Sequence, residues 1–362
     1  MTENGLSRVL AAFGINNRII EYKEPVTGNV NRTYRVITEN ADGKRSRLIV
    51  QRLNGYAYDE PEKLMQNAAL ISEWMRKKNA KPGTVKFYKS LNGYNFWRAE
   101  DGDYWRVYDY IDGVTFASTD DLNIIENTGR AFGRFQQIMA DFDERQLYLT
   151  IPDFHNTKRR YELLEEAYGK DICGRRSREL EESYDWLMSV KDRACILTAV
   201  YEQNKLPLRV CHNDTKINNV LFDENSGEAI AIIDLDTVMP GLLGHDFGDA
   251  VRSVACGVSA DKNHYFDPEK FRAFTKGFLS LVKESLSENE INTLCYGPFC
   301  MTAELAVRYL TDYLMGDKYF KISYDRQNLD KAKQRIMLAK DMLNYEAEIR
   351  SFISEISRLS CL

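Results

Sequence analysis

Cysteine and histidine are scarce in this 362-residue sequence, and neither is clustered. The seven cysteines are scattered, and none forms a CxxC pair. An odd, dispersed set favours reduced thiols in a cytoplasmic protein over a disulfide framework. The four histidines are too widely spaced to suggest a structural zinc site. We therefore expect a fold held together by a large apolar core, in a reducing compartment.

A basic excess and long apolar runs are also missing. The formal net charge is −5, and the short basic clusters lie among acidic residues. No broad cationic surface is therefore predicted, which argues against a nucleic acid partner. No apolar run approaches the length that spans a membrane, and the first residues lack the basic and apolar regions of a signal peptide. We expect a soluble cytoplasmic protein that acts on small molecules, with no obligate protein partner indicated.

One segment carries a strong chemical signal. Residues 212–219 are HNDTKINN, which has the H-x-D-x-x-x-x-N spacing of a kinase catalytic loop. In this spacing Asp214 is the base that contacts the acceptor hydroxyl, and Asn219 is a magnesium ligand. Lys216 lies where it can offset charge on a transferring phosphoryl group, and Asp234 follows an apolar strand where a second metal ligand is needed. The pattern predicts phosphoryl transfer from ATP, with Mg²⁺ as the cofactor.

The residues between these two metal ligands predict a β-hairpin. Residues 220–222 and 229–233 are short β-rich runs, separated by the turn sequence DENSG at 223–227. An antiparallel hairpin brings Asn219, before its first strand, close to Asp234, after its second strand. An amide oxygen and a carboxylate suit a hard divalent cation. The competing interpretation is a hairpin with polar ends and no catalytic role.

The triplet Asp246-Phe247-Gly248 has the D-F-G spelling of a protein kinase metal motif, but its position is unsuitable. It lies beyond the hairpin that places Asp234, and it precedes a helical pattern. We expect Asp246 to be a helix N-cap that braces the catalytic loop. Asp249 and Arg252 are spaced to form an i,i+3 ion pair on that helix.

The periodicity of apolar residues divides the chain into a β-rich and a helical part. Strand patterns occupy 19–53, 84–89, 94–99 and 104–111, with one crossing helix at 60–78. Helical patterns follow Gly113 and include 121–140, 157–169, 176–204, 246–255, 268–286, 289–316 and 327–358. The prediction is an α+β, bilobal, protein-kinase-like fold with a cleft between the lobes. Residues 1–112 form the N-terminal nucleotide-binding lobe, and 113–362 form the catalytic and acceptor-binding lobe.

The N-terminal lobe offers two candidate nucleotide contacts. The turn at 27–31, with Gly28 and Asn29, can place backbone donors over phosphates, although an ordinary hairpin loop has the same sequence character. Tyr110 and Ile111, at the end of the last strand, are placed to form the hinge that binds adenine.

The lysine that kinases carry in their third strand is absent here. That strand reads LIVQR at 48–52, so Gln51 or Arg52 must replace the lysine. Side chains alternate along a strand, and only one of the two can face the cleft.

These motifs resemble the aminoglycoside phosphotransferase and choline kinase superfamily over nearly the whole chain. Within it, HNDTKINN at 212–219, IDLDTVMPG at 233–241, DFGD at 246–249 and RYLTDYLMGDKYF at 308–320 are similar to the N-acetylhexosamine 1-kinases. The resemblance implies ATP-dependent phosphorylation of the anomeric hydroxyl of N-acetylgalactosamine or N-acetylglucosamine. It also implies that Arg308, Asp312 and Tyr319 contact the acceptor. A helix with a salt-bridged arginine and a packed tyrosine is the alternative interpretation of these three residues.

Three other functions compete with this interpretation. A protein kinase is disfavoured because the segment after Asp234 is too short for an activation segment and contains no A-P-E. A kinase of another small acceptor, such as an aminoglycoside, choline, homoserine or methylthioribose, stays open. A binding module with a dead kinase fold is disfavoured because Asp214, Asn219 and Asp234 are all present.

Overall fold

The computed structural model describes residues 2–24, 31–53 and 60–358, which form the predicted α+β, bilobal kinase-like fold. Two compact units make up the chain. The first comprises Met1–Val114, Arg145–Ile151 and Leu221–Met239, and the second comprises Thr115–Glu144, Pro152–Val220 and Pro240–Leu362. The first unit therefore contains most of the hairpin that leads to Asp234, while the second contains the catalytic loop.

Helices account for most of the second unit, as the sequence predicted. The helices are α1 (Glu3–Ala12), α2 (Pro61–Lys77), α3 (Leu122–Met139), α4 (Thr157–Lys170), α5 (Arg178–Ser189), α6 (Lys191–Ala194), α7 (Ile196–Glu202), α8 (Leu243–Val254), α9 (Pro268–Val282), α10 (Glu288–Leu294), α11 (Gly297–Leu314), α12 (Gln327–Asn344) and α13 (Glu346–Arg358).

The strands are concentrated in the first unit. They are β1 (Arg18–Lys23), β2 (Arg32–Glu39), β3 (Arg45–Arg52), β4 (Gly83–Thr84), β5 (Trp97–Arg98), β6 (Tyr104–Asp109), β7 (Arg209–Cys211), β8 (Val220–Phe222), β9 (Ala229–Ile232), β10 (Met239–Gly241), β11 (Cys256–Val258) and β12 (His264–Phe266).

A five-stranded antiparallel sheet is the main element of the first unit. Its strand order is β1-β2-β3-β6-β5. Because side chains alternate along each strand, one face of the sheet is buried and packs against α1. The buried cluster comprises Leu6, Val9, Leu10, Phe13, Ile19, Tyr34, Val36, Leu48, Val50, Trp105 and Val107.

The predicted strands at 84–89 and 94–99 are shorter than expected. Trp97 and Arg98 pair with β6, Phe87 forms an isolated antiparallel bridge to Tyr108 of β6, and β4 runs parallel to β9 in a separate sheet of order β4-β9-β8. The hydroxyl of Thr84 donates to the carbonyl of Ile232 at 2.7 Å, which fixes β4 to the hairpin sheet. The β-rich composition was detected correctly, but local sequence does not show which sheet a strand joins.

Three predicted helices are interrupted in the structure. The segment 176–204 divides into α5, α6 and α7, the segment 289–316 into α10 and α11, and the segment 327–358 into α12 and α13. The apolar spacing continues across each break, so periodicity alone does not show it. Pro298 in the first turn of α11 is the one local signal that a new helix begins there.

Helices α3 and α9 cross at glycines in the second unit. A Cβ atom on Gly129 would lie 2.2 Å from the carbonyl oxygen of Phe274. A Cβ atom on Gly277 would lie 2.1 Å from the carbonyl oxygen of Glu126. The two backbones can approach this closely only because both positions lack a side chain. Among the described helices, none combines the length and apolarity needed to cross a bilayer.

Candidate active site

The catalytic loop brings three of the predicted residues together. The Nζ of Lys216 lies 2.9 Å from Oδ2 of Asp214, and the amide nitrogen of Asn219 donates to the same oxygen at 3.0 Å. The Asn219 amide also donates to the backbone carbonyl of Asp214 at 2.7 Å. The side chain of Asp214 is 25% exposed, so an acceptor can reach it. Oδ1 of Asp214 has no hydrogen-bond partner among the described residues, which leaves it available as a proton acceptor.

Helix α8 holds the backbone of this loop. The carboxylate of Asp246 accepts the backbone N–H of His212 at 2.8 Å and that of Asn213 at 2.7 Å. The backbone N–H of Thr215 donates to Asp249 at 3.0 Å. The predicted bracing role of Asp246 is therefore confirmed, and it is distinct from a metal-binding role.

The prediction that Asp246 is a helix N-cap is wrong. Helix α8 begins at Leu243 with Leu242 as its N-cap, so Asp246 lies within the first turn and is buried. It still accepts backbone N–H groups, but from the catalytic loop rather than from its own helix. The predicted ion pair between Asp249 and Arg252 is present within the same helix. Burial would raise the pKa of Asp249, but the charge of Arg252 lowers it below the ordinary value.

Asp234 follows β9 in the first unit, as predicted. Its φ of 61° is left-handed, and it precedes a short 3-10 turn over Leu235–Thr237. The strands β8 and β9 are neighbours in their sheet, so the predicted hairpin is confirmed. Within this turn Asp236 is buried, and its carboxylate accepts a hydrogen bond from Asn31 at 2.8 Å.

A buried arginine that sequence reasoning missed faces this turn. Nη1 of Arg106, on β6, lies 2.6 Å from Asp236, and the two side chains are 4% and 5% exposed. Burial alone would lower the pKa of Arg106, but the carboxylates of Asp236 and Asp234 raise it above its ordinary range. This guanidinium is therefore a permanent cation beside the turn that presents Asp234.

Gln51 is bonded to that arginine. Its side-chain oxygen accepts from Nε and Nη2 of Arg106 at 2.8 and 2.5 Å, and its nitrogen donates to Thr33 at 2.8 Å. Arg52 pairs with Asp103 at 2.8 Å instead. A buried cation beside Gln51 is thus supplied by β6. The register that pairs Gln51 with Arg106 connects positions that are distant in sequence, so no local motif reveals the contact.

The predicted nucleotide contacts, including that of Gln51, stay predictions. Gly28 and Asn29 lie outside the described residues. Tyr110 is described, and its backbone N–H donates to the carbonyl of Arg47 at 3.1 Å. Ile111 follows, and its backbone N–H and C=O have no hydrogen-bond partner in the part of the chain that the structure describes.

The three predicted acceptor residues lie at one end of α11. Asp312 accepts the backbone N–H groups of Lys318 and Tyr319 at 2.9 and 2.8 Å, and that of Phe320 at 2.9 Å. Its carboxylate therefore holds the loop that carries Tyr319. No salt bridge joins Asp312 to Arg308 in the described chain. Arg308 instead donates to the hydroxyl of Tyr319 at 3.3 Å.

A cavity of about 170 Å³ opens beside these residues. The guanidinium of Arg308 lies over the rings of Phe154, Tyr319 and Phe320, at 5.2 to 5.8 Å from their centroids. Arg160 of α4 also lines the cavity and donates to the carbonyl of Phe154 at 2.9 Å. Neither arginine has a carboxylate partner within the described ranges. The lining residues are Arg160, Leu163, Arg308, Thr311, Asp312, Met315, Tyr319 and Phe320.

The donor set of the predicted metal ligands fits magnesium. Both hydrogen bonds of the Asn219 amide use its nitrogen, so its oxygen is left for a cation. No group of three or more His, Cys, Asp or Glu side chains in the described ranges forms a self-sufficient metal site. Magnesium bound by one amide and one carboxylate takes its other ligands from phosphate and water. That Asn219 and Asp234 bind one ion together stays a prediction.

Comparison with known proteins agrees with this geometry. A profile of the phosphotransferase enzyme family (APH) matches residues 21–273. The chain belongs to this family. The matched residues include the catalytic loop, the hairpin and α8.

Several solved structures of low sequence identity share the fold. An aminoglycoside phosphotransferase from Alicyclobacillus acidocaldarius has a TM-score of 0.61 at 14% identity, with 96% of each chain covered. An ethanolamine kinase from Plasmodium vivax has a TM-score of 0.56 at 15% identity, covering 92% of this chain and 84% of that one. Amicoumacin kinase, solved with AMP-PNP, Ca²⁺ and amicoumacin, has a TM-score of 0.54 at 14% identity, covering 99% and 96%.

Proposed function

We propose that this phosphotransferase is an ATP-dependent anomeric kinase that converts N-acetylgalactosamine and N-acetylglucosamine into their 1-phosphates. The observation that supports this choice of acceptor is a pair of arginines, Arg160 and Arg308, that line one cavity. Neither arginine has a carboxylate partner among the described residues. The base that serves the reaction is Asp214. ATP and Mg²⁺ are supported by the family, and by a relative solved with AMP-PNP and a divalent ion.

The charge of the cavity argues against cationic acceptors. Burial and the like charge of Arg308 lower the pKa of Arg160, and the charge of Glu304 partly opposes them. An aminoglycoside or choline would add a third positive charge near the two arginines. Both oxygens of Asp312 are engaged by backbone N–H groups and Asn328, so this carboxylate is not free to bind a cationic acceptor directly. A neutral amino sugar offers hydroxyl and acetamide oxygens that guanidinium groups can bind.

A series of contacts within the second unit leads from the acceptor cavity to the loop that carries Asp214. Arg308 lies over Phe154, and the next residue, His155, contacts the backbone carbonyl of Asn213. Asn213 immediately precedes Asp214. The aromatic rings of Tyr319 and Phe320, which Arg308 also contacts, offer a surface for the apolar face of a sugar ring.

The chain's own residues account for the chemical steps. Oδ1 of Asp214 accepts the hydrogen of the anomeric hydroxyl and takes its proton as the sugar oxygen bonds to the γ-phosphorus. The bond between that phosphorus and the bridging oxygen breaks, and ADP leaves with the released electron pair. Lys216 offsets charge on the transferring group. Asn219 and Asp234 would hold magnesium, which would supply positive charge to neutralise the phosphates. Positioning and electrostatics supply most of the rate gain, because the transition state is loose.

Arg308→Ala is expected to raise KM for N-acetylgalactosamine by about tenfold or more, because a hydrogen bond from a charged donor contributes about 1.5–3 kcal/mol. The KM for ATP should change by less than about twofold, because this arginine lies in the acceptor cavity. Initial-rate kinetics with each substrate varied in turn measure both constants.

Arg159→Ala is the matched control for this variant. Arg159 is on α4 next to Arg160, but it is exposed and pairs with Glu162. It should leave both KM values unchanged. An equal rise in both constants for Arg308→Ala, or no change in either, would contradict the assignment of the cavity to the acceptor.

The acceptor itself is tested with a panel. Purified protein with ATP and Mg²⁺ is assayed for ADP release with N-acetylgalactosamine, N-acetylglucosamine, galactose, glucose, kanamycin, choline, ethanolamine, homoserine and methylthioribose. The two N-acetylhexosamines should be used fastest, and hexoses without the acetamido group more slowly, since unpaired polar groups in the site penalise them. Turnover confined to a cationic acceptor would refute the sugar assignment but leave the phosphotransfer assignment standing.

A further inference from the structure

A buried ion pair lies directly behind the catalytic loop and is not used by the proposed chemistry. Nδ1 of His155 is 2.8 Å from Oε1 of Glu304, and its Nε2 is 3.1 Å from the backbone carbonyl oxygen of Asn213. The two side chains are 8% and 1% exposed. The other carboxylate oxygen of Glu304 accepts a hydrogen bond from the hydroxyl of Thr157 at 2.7 Å. The carboxylate is therefore fully engaged.

The partners of His155 determine its protonation state. The carbonyl of Asn213 has no proton to give, and the carboxylate of Glu304 accepts hydrogen bonds at both oxygens. Each ring nitrogen of His155 must therefore donate. A histidine that donates from both nitrogens is an imidazolium cation.

The surrounding charges favour the same state. Burial alone would lower the pKa of His155, but Glu304 raises it above the ordinary value. Burial would raise the pKa of Glu304, but the charge of His155 holds it at about 2. The nearby His245 has its pKa lowered to about 3 by burial and by His155, so it stays neutral. The charged and titratable groups facing His155 are Glu304 and Arg308 on α11, and His245, Asp246 and Asp249 on α8.

The contact with Asn213 acts on the peptide that leads into the base. Asn213 has a left-handed φ of 61°, a conformation that asparagine adopts more readily than most residues other than glycine. Its carbonyl shares a planar peptide with the backbone nitrogen of Asp214. A hydrogen bond from His155 to this carbonyl therefore fixes the orientation of the peptide plane. It thereby fixes the direction in which the Asp214 side chain extends from the loop. Helix α8 holds the N–H side of Asn213, through Asp246.

We propose that His155, kept protonated by Glu304, is a positioning residue that fixes Asp214 for proton transfer. The inference rests on the proposed role of Asp214 as the base. Glu304, Arg308 and Asp312 are spaced by four residues along α11, so they lie on one face of the helix. The ion pair thus joins the helix that carries the acceptor cavity to the loop that carries the base.

The protonation state is tested by NMR without any substrate. The chain has only four histidines, so long-range ¹H–¹⁵N correlations of the imidazole rings give four resolvable patterns, and His155→Gln identifies one. His155 should show the imidazolium pattern at neutral pH and should titrate at higher pH than His264, whose pKa burial lowers. A neutral His155 at neutral pH would overturn the proposal. Because no acceptor is needed, this result is independent of the proposed sugar.

The positioning role is tested by the pH dependence of kcat with N-acetylgalactosamine. The active form is protonated, so kcat should fall as pH rises through the raised pKa of His155. Glu304→Gln removes the charge that raises this pKa and should move the fall to lower pH. His155→Gln should abolish this pH dependence and lower kcat by about tenfold or more, as expected when a catalytic group is misplaced. The KM for ATP should stay within about twofold.

His264→Gln is the control, since His264 lies on β12 beside Cys256 and outside the catalytic loop. It should leave kcat and its pH profile unchanged. Wild-type kcat in His155→Gln, or an unshifted profile in Glu304→Gln, would contradict the positioning role. If N-acetylgalactosamine is not phosphorylated by the wild-type protein, the proposed function fails, and the NMR titration still decides whether His155 is protonated.

Discussion

Asp214→Asn is expected to lower kcat by at least about a hundredfold, the range expected when a general base is lost. An asparagine amide keeps the size of the side chain, but it cannot take the proton of the acceptor hydroxyl. ATP binding should be largely intact, because the hydrogen bonds that α8 makes to the loop do not involve this side chain. Steady-state turnover measures the first effect, and calorimetric titration with ATP and Mg²⁺ measures the second.

Asp261→Asn is the matched control, because Asp261 is an exposed carboxylate remote in sequence from the loop. It should turn over as the wild-type protein does. Near-wild-type kcat in a folded Asp214→Asn protein would show that another group takes the proton.

Asp234→Ala should reduce magnesium-dependent turnover by about a thousandfold or more. A factor of this size corresponds to about 4 kcal/mol of transition-state stabilisation, and a bound metal supplies several kcal/mol. The negative charge of Asp234 also raises the pKa of the buried Arg106. The substitution therefore removes one of the two carboxylates that stabilise this cation. Turnover measured over a range of Mg²⁺ concentrations should not recover at the highest concentrations of Mg²⁺.

The variant Asp246→Ala separates the metal role from the bracing role. It removes the carboxylate that accepts the backbone N–H groups of His212 and Asn213, and one of the two acceptors of the Gln136 amide nitrogen. Each buried donor left unsatisfied costs about 1–3 kcal/mol, so the free energy of unfolding should fall by about 3 kcal/mol or more. A stable Asp246→Ala protein that has lost metal-dependent nucleotide binding, together with an Asp234→Ala protein that has kept it, would reverse the two assignments.

The catalytic loop and its hairpin were predictable because their signals are local. The spacing of Asp214, Lys216 and Asn219 is set by one short loop, and the structure brings these three side chains together. The turn at 223–227 and the two β-rich runs around it define the hairpin that precedes Asp234. Each of these features depends on residues within a few positions of one another.

Features that depend on tertiary pairing were missed. Arg106 becomes a buried cation only because strand register places it opposite Gln51 and folding brings Asp236 to it. No local pattern distinguishes such an arginine from an exposed one on a strand. The N-cap assignment of Asp246 failed for the same reason, since its partners are the distant backbone groups of the catalytic loop.

At the end of α11 and in the loop that follows it, the sequence predicted some features and missed others. Arg308 and Tyr319 were selected through the resemblance of residues 308–320 to a known family, and the structure brings them together beside a cavity. The same resemblance gave no indication that Asp312 holds the following loop through three backbone N–H groups. It also gave no indication that Arg160, on another helix, lines the cavity.

The most direct test of the central claim is a ¹H–³¹P correlation spectrum of the product formed from N-acetylgalactosamine, ATP and Mg²⁺. The proposed function predicts one new phosphate ester whose phosphorus couples through bonds to the anomeric proton H1, with one equivalent of ADP released. It also predicts that this signal is absent when Asp214→Asn replaces the wild-type protein for the same reaction time. Coupling of the phosphorus to the H6 protons, or ADP release with no phosphorylated sugar, would contradict it.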